Sequence, residues 1–344
     1  MKKIIYNTAL TCLVLVLVTV TSLSGQGGVA EMETDRRGQT GLKFLTVAVD
    51  ARGASMAGAM TSQDLGAAAM FYNPASMASF DRTAGVAVGQ TQWIADVGYN
   101  AGSAILRTGI GVFGVSLISV DYGDFEQTIR ADNDKGYIDM DPYSPTAMAL
   151  GIGYGRTITN RFTVGGIAKY VAQDLGEAVT AATLDSDNET IVSSETGDYA
   201  VSTIAFDFGV IYRTGFRSLQ LALQARNFSR ELTYVDEHFE LPLSFRIGLS
   251  MNLVDLMDID QNVHSLLVNI DSERPRDYFE QIKIGAEYKF LNTLSLRGGY
   301  LFPSDEQGIN VGVGVQKFGV AIDYSYTDFG VFEAVNRFSL RAEF

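Results

Sequence analysis

The chain has little of what most active sites are made from. Its 344 residues include one cysteine, Cys12, and two histidines, His238 and His264. That scarcity excludes cysteine catalysis and most zinc and haem sites. No metal and no other cofactor is expected. Proline, at 6 residues, is too sparse for a collagen or a Pro-rich disordered chain. Basic residues are outnumbered, 26 against 40 acidic, for a net charge of −14, and they form no block. Nucleic-acid phosphates are held by clustered Lys and Arg, so no nucleic-acid partner is expected. Beyond the N-terminus there is also no apolar run long enough for a spanning helix.

Lys2 and Lys3 precede an apolar run from Leu10 to Val20, and small residues follow at Ser22 to Gly25. This is the order of a secretory signal peptide cleaved near Ser24 or Gly25. The competing reading, a membrane anchor, needs a longer run. Residues 1–24 are assigned as the signal and 25–40 as a solvated extension. Cys12 would leave with the signal, so no disulfide would hold the exported chain.

The remainder alternates. Phe318, Val320, Ile322, Tyr324 and Tyr326 share one strand face, opposite Lys317, Gly319, Ala321, Asp323 and Ser325. Phe245, Ile247 and Leu249 oppose Arg246, Gly248 and Ser250 in the same way, and Ile282, Ile284 and Tyr288 oppose Lys283, Gly285 and Glu287. Fourteen such segments run over 84–93, 96–107, 109–122, 144–157, 160–174, 198–213, 218–228, 241–253, 261–271, 278–290, 293–302, 308–316, 317–326 and 335–344. They are longer than the usual soluble strand, and their number is even. Connections are mostly tight on one side and longer on the other, the longest being 122–144, 174–198 and 228–241. That asymmetry is the mark of an outer-membrane barrel with short periplasmic turns. The polar faces are rich in Gly and Ala, which suits a lumen better than the wet faces of a soluble sandwich. The fold expected is therefore an all-β transmembrane barrel of 14 antiparallel strands over 83–344, in the outer membrane of a Gram-negative-type bacterium and in contact with its lipid. The chain ends on Phe344, an aromatic at lipid-facing parity, as outer-membrane proteins read by the barrel assembly machinery commonly do.

Residues 41–82 do not alternate. They are rich in Ala, Gly and Met, which permits short helices in a confined space. A hatch or plug inside the barrel fits this better than a linker. Within it, Phe44-Leu45, Asp50-Ala51-Arg52, Met56-Ala57-Gly58-Ala59 and Tyr72-Asn73-Pro74-Ala75 resemble the N-terminal signature of the PorV/PorQ family of outer-membrane proteins. Leu241 to Gly248 and the end of the chain, Asp323 to Leu340, resemble the same family. Wider relatives are FadL-type barrels with an N-terminal hatch carrying Asn-Pro-Ala. The family usually follows that motif with Gly, whereas this chain has Ser76.

The resemblance implies a hatch built on Asp50, Ala51, Arg52, Asn73, Pro74 and Ala75. It also implies a role in type IX protein secretion. The partners would then be secreted cargo C-terminal domains, or a sortase-type attachment complex at the cell surface. The alternative it implies is a FadL-like transporter of hydrophobic small molecules. A purely structural outer-membrane protein is the third reading. An enzyme is not expected.

Other motifs weaken on inspection. Gly109-Ile110-Gly111-Val112-Phe113-Gly114 spells a dinucleotide fingerprint, but alternation continues to Tyr122 where a helix is required. Asp132 to Gly136 and Asp185 to Glu189 are acidic, yet neither keeps the EF-hand spacing. The lumen-side charges Arg246, Lys283, Glu287, Arg297 and Asp323 suggest an internal salt-bridge network, with a selectivity device as the competing reading.

Overall fold

The computed structural model describes residues 37–185, 191–234, 237–305 and 307–344. The signal-peptide assignment and most of the N-terminal extension lie outside these residues, as do Ser186 to Glu189 of the second acidic loop. The strands are β1 (Ala84–Gln92), β2 (Gly98–Thr108), β3 (Gly111–Asp121), β4 (Thr128–Arg130), β5 (Tyr137–Asp139), β6 (Thr146–Thr159), β7 (Phe162–Leu184), β8 (Ile191–Arg213) and β9 (Gln220–Phe228). They continue as β10 (Leu232–Tyr234), β11 (Glu237–Phe239), β12 (Ser244–Asn252), β13 (His264–Pro275), β14 (Gln281–Phe290), β15 (Leu294–Phe302), β16 (Asn310–Lys317), β17 (Val320–Phe329) and β18 (Phe332–Glu343). Fourteen of them close into one antiparallel barrel, in which β18 returns to pair with β1. The two remaining pairs, β4–β5 and β10–β11, are small hairpins within the longer connections. Each of the fourteen barrel strands overlaps one alternating segment of the sequence.

The barrel is inside out relative to a soluble protein. Ile247 is 57% exposed on its outer face, whereas Ser250 on the inner face is 3% exposed. Val88, Val115, Ile152, Leu223, Val313 and Ile322 also face outward and are exposed. Side chains of this type are stable outside only against hydrocarbon. A closed ladder lets every strand satisfy its backbone polar groups in that medium. Tyr300 and Phe302 stack at one end of the apolar band, and His264, Tyr288 and Phe290 cluster at the other. Such rings sit at the two membrane interfaces. The protein is an outer-membrane β-barrel, with its longer connections facing outward.

Two connections differ from expectation, and the gap 326–335 is one of them: it closes to a tight turn, with β17 and β18 pairing out to Phe329↔Phe332. The stretch 174–198, read as a loop, is mostly ladder: β7 and β8 pair from Phe162↔Tyr212 out to Leu184↔Ile191. The partner on the β6 side ends at Asp174, and the partner on the β9 side ends at Phe206. The hairpin therefore runs on past both neighbours, by about 30 Å at strand rise. Alternation fails there because both faces see water. The segment is rich in Thr and Ser, with Glu177 and Glu195, and shows no apolar stripe. His238, expected in a loop, lies in β11 and meets the Thr233 hydroxyl. His264 opens β13 and meets the Tyr288 hydroxyl.

Candidate functional site

The site is built from the segment that precedes β1. It folds into short turns inside the barrel: 3-10 turns at Lys43–Thr46, Gly66–Phe71 and Pro74–Ser79, and one α-helix at Ala51–Ser55. Both sequence motifs begin a helical turn. Asp50 caps Ala51–Ser55 by accepting from the Gly53 N–H at 2.9 Å. Asn73 caps Pro74–Ser79 by accepting from the Ala75 N–H at 3.0 Å. A short polar side chain at the cap and proline just inside it are the residues such a start prefers. Asn73 also donates to the Thr61 carbonyl at 2.8 Å, so one amide joins two parts of the segment. Asn73→Ala should cost about 1–3 kcal/mol, measured as thermal unfolding in detergent; an unchanged transition would mean that neither bond contributes.

The wall is shaped to receive this segment. Inward positions are glycine where the chain passes closest. A Cβ on Gly165 would overlap Pro74, and one on Gly209 would overlap the Asn73 amide. Gly285 and Gly299 lie against Met56, while Gly114 and Gly153 lie against the sulfur of Met70. Ala51 and Ala75 are fully buried for the same reason. Within the segment, Gly53 makes room for the Tyr72 hydroxyl, which brings the two motifs together. The glycine content, 35 residues, is thus partly a record of how closely the segment is held.

Charge fixes it further. Arg52 donates to both Glu287 oxygens, at 3.0 and 2.9 Å. Glu287 also accepts from Arg297, which reaches Asp323 at 2.7 Å, and Asp323 accepts from Arg341 at 2.8 Å. A second group joins Arg246 and Lys283 through Glu273, at 2.7 and 2.5 Å. Asp271 beside it accepts from the backbone and hydroxyl of Thr61, at 2.9 and 2.6 Å. A third holds Lys169 between Asp207 and Asn227, at 2.9 and 2.6 Å. The five lumen charges singled out in the sequence fall into two groups: Arg246 with Lys283, and Glu287 with Arg297 and Asp323. Glu273, Asp271, Lys169 and Asp207 were missed. Their partners lie on other strands or on the inner segment, and only the folded barrel brings them together.

Near the outer mouth, Asp277 follows β13 and accepts from Thr40 at 2.6 Å and Lys43 at 2.5 Å. Burial alone would push its carboxyl up. The two donors outweigh that and hold it below the usual carboxylate range. A depressed folded-state value means that the contact contributes fully above the unfolded value of about 3.9 and is lost as pH falls below it. Protection factors of the amides over 40–46, which are exchange rates relative to the intrinsic rate at each pH, should therefore be flat from near neutral down to about pH 5 and fall only below about pH 4. A loss of protection near neutral pH would rule out Asp277 as the anchor.

Between the segment and the outer half of the wall lies a cavity of about 490 Å³. Phe71, Tyr72, Trp93, Ile118, Leu301 and Phe329 give it an apolar side. Trp93 packs edge-on against Phe329 with centroids 5.0 Å apart, and the Arg337 guanidinium sits 5.5 Å over the Trp93 ring. Its rim includes Arg37, Lys43 and Asp305, whose side chains are about half exposed, so the cavity opens at the outer mouth. Its carboxylates are Glu273, Asp277 and Asp305. Among the described residues no cluster of His, Cys, Asp and Glu could hold a metal ion. Phe344 lies at the opposite end, where its backbone bonds Thr83 and Ala84 beside the β1–β18 seam and its ring is exposed.

No family model and no curated protein sequence matches the chain. Solved structures do resemble its fold. The CymD monoaromatic hydrocarbon channel superposes with a TM-score of 0.57 at 14% identity, covering 87% of this chain and 98% of that one. The Pseudomonas putida toluene transporter TodX gives 0.57 at 15% identity, covering 85% and 97%. A Pseudomonas aeruginosa FadL homologue gives 0.53 at 12% identity, covering 87% and 99%.

Proposed function

We propose that the protein is an outer-membrane channel that admits small molecules with apolar bodies. The observation that carries this reading is the aromatic-lined cavity, which opens at the outer mouth and ends on the inner segment. Cavities of a few hundred Å³ that join an apolar side to convergent polar groups are typical small-molecule sites. The similar folds of a hydrocarbon channel, a toluene transporter and a FadL homologue support it as analogy. In this reading residues 41–82 are a hatch, and passage requires part of it to move. Deleting them should leave a barrel that inserts but conducts ions freely. The combined change Asn73→Ala and Pro74→Ala should alter uptake of an apolar solute by proteoliposomes. If the deletion stays closed and the double variant takes up solute at the original rate, the hatch reading is lost.

The projecting β7–β8 hairpin supports a second reading, the PorV-like one, in which secreted cargo or an attachment complex binds at the cell surface. Its outer part has ladder edges without barrel neighbours and carries Glu177 and Glu195. Shortening it should abolish capture of a cargo C-terminal domain and leave solute uptake intact. Equal capture by the shortened protein would remove this reading.

A further inference from the structure

The cavity is at odds with the charge of the chain around it. The protein carries a net charge of −14, yet six cations and three carboxylates line this one space. The cations are Arg37, Lys43, Arg226, Arg246, Lys283 and Arg337. Four of them are accounted for. Arg37 meets Asp305, Lys43 meets Asp277, and Arg246 and Lys283 share Glu273. Two have no carboxylate partner among the described residues. Arg337 donates to the Ala48 carbonyl and the Thr327 hydroxyl, and is otherwise held only by the Trp93 ring. Among the described residues the Arg226 side chain has no hydrogen-bond acceptor, and its Nε is buried without a partner. The acids around it, Asp207 and Glu273, are each already bound by other cations.

The local backbone exposes Arg226 to the cavity. β9 has a bulge opposite β8 between Phe206 and Phe208, with Asn227 in the left-handed region at φ 58. A bulge inserts a residue and re-aims its neighbours. Asn227 turns inward, where its amide oxygen accepts from Lys169 and its backbone N–H donates to the Asp207 carboxylate at 2.8 Å. Asp207 is thereby held at Lys169 and Asn227, and Arg226 is left at the cavity wall. A buried guanidinium with no anion is costly, and a site that keeps one is suited to receiving an anion. The aromatic side formed by Trp93, Phe329, Phe71 and Tyr72 would take the rest of such a ligand.

From this juxtaposition of uncompensated guanidiniums and an aromatic wall, we infer that the cavity binds aryl-bearing carboxylic acids as their anions, with Arg226 holding the carboxylate. This rests on the small-molecule channel reading and names the substrate class of its site. The ligand is not a neutral hydrocarbon, because nothing in a hydrocarbon would answer the cationic side.

Trp93 is the only tryptophan of the chain, so its emission reports on the cavity directly. The full protein in detergent is titrated with phenylbutyrate, with phenylbutanol as neutral counterpart and with decanoate as a carboxylate lacking the ring. Phenylbutyrate should quench saturably and bind more tightly than either. Arg226→Met should weaken phenylbutyrate about tenfold to a hundredfold and leave phenylbutanol unchanged. Native heat-modifiable mobility certifies the fold of the variant. Should Arg226→Met not fold, salt serves instead: raising it from about 50 mM to about 500 mM should weaken phenylbutyrate in the unaltered protein and spare phenylbutanol. Equal affinity for acid and alcohol, tighter binding of decanoate, or an acid affinity indifferent to both Arg226 and salt would each overturn the inference. Uptake by proteoliposomes separates the two levels. Selective binding without uptake removes the channel reading and keeps the site, whereas uptake of alcohol and acid at equal rates, with equal binding, does the reverse.

Discussion

Glu287→Ala should cost the folded barrel about 3–5 kcal/mol, the usual cost of removing one partner from a buried ion pair. Glu287 is 3% exposed and binds Arg52 of the inner segment and Arg297 of the wall. Removing it leaves Arg52 without its carboxylate in a space too tight for much water. Arg297 retains Asp323. The loss should therefore be concentrated at Arg52, and Glu287→Leu combined with Arg52→Met should be less damaging than Glu287→Ala alone. Unfolding in detergent, followed by heat-modifiable mobility, measures all three. If Glu287→Ala falls within about 0.5 kcal/mol of the original protein, the ion chain does not hold the segment.

Ile247→Arg should cost about 2–4 kcal/mol, because it puts a cation on the lipid face well inside a membrane strand. The inner face of the same strand is intolerant for a different reason. Ser250 lies against the Ser62 carbonyl, and a Cβ on Gly248 would press on Thr61. Ser250→Arg would therefore collide with the inner segment rather than with lipid. The two effects separate on removal of residues 41–82, which should relieve Ser250→Arg and leave Ile247→Arg as damaging as before. Relief of both, or of neither, would contradict this assignment of the two faces.

How much of this was legible in the sequence depends on the medium that each residue faces. Between lipid and lumen, alternation is enforced residue by residue, so strands such as β12 and β17 could be read with their faces. Beyond the membrane that contrast disappears, and the outer half of the β7–β8 hairpin looked like a loop. The inner segment was visible as a break in alternation, and Asp50 and Asn73 stood out only as parts of the two resembling motifs. Their work as caps needs only neighbours three residues away or fewer. Arg52 is different, because its partner Glu287 lies 235 residues on and nothing local points to it. Arg226 was missed for the same reason in reverse. One arginine in a strand looks like any other, and only the closed barrel shows that its neighbouring acids are already taken.

The order of the chain has a consequence for how the protein is made. The inner segment precedes β1 in sequence, yet it packs against β6, β7 and β8 through Pro74–Ser79 and against β15 to β18 through Ala51–Ser55. Its enclosure is completed only when β18, the last strand, meets β1. A chain of this bulk has no route in through the side of a finished cylinder. The expected order is that it is held, partly ordered, while the strands are added around it, and that the final seam then shuts it in. Contacts as remote as Arg52 and Glu287 are slow to find each other. In that order the segment is a core on which the cylinder is wound rather than a stopper fitted afterwards.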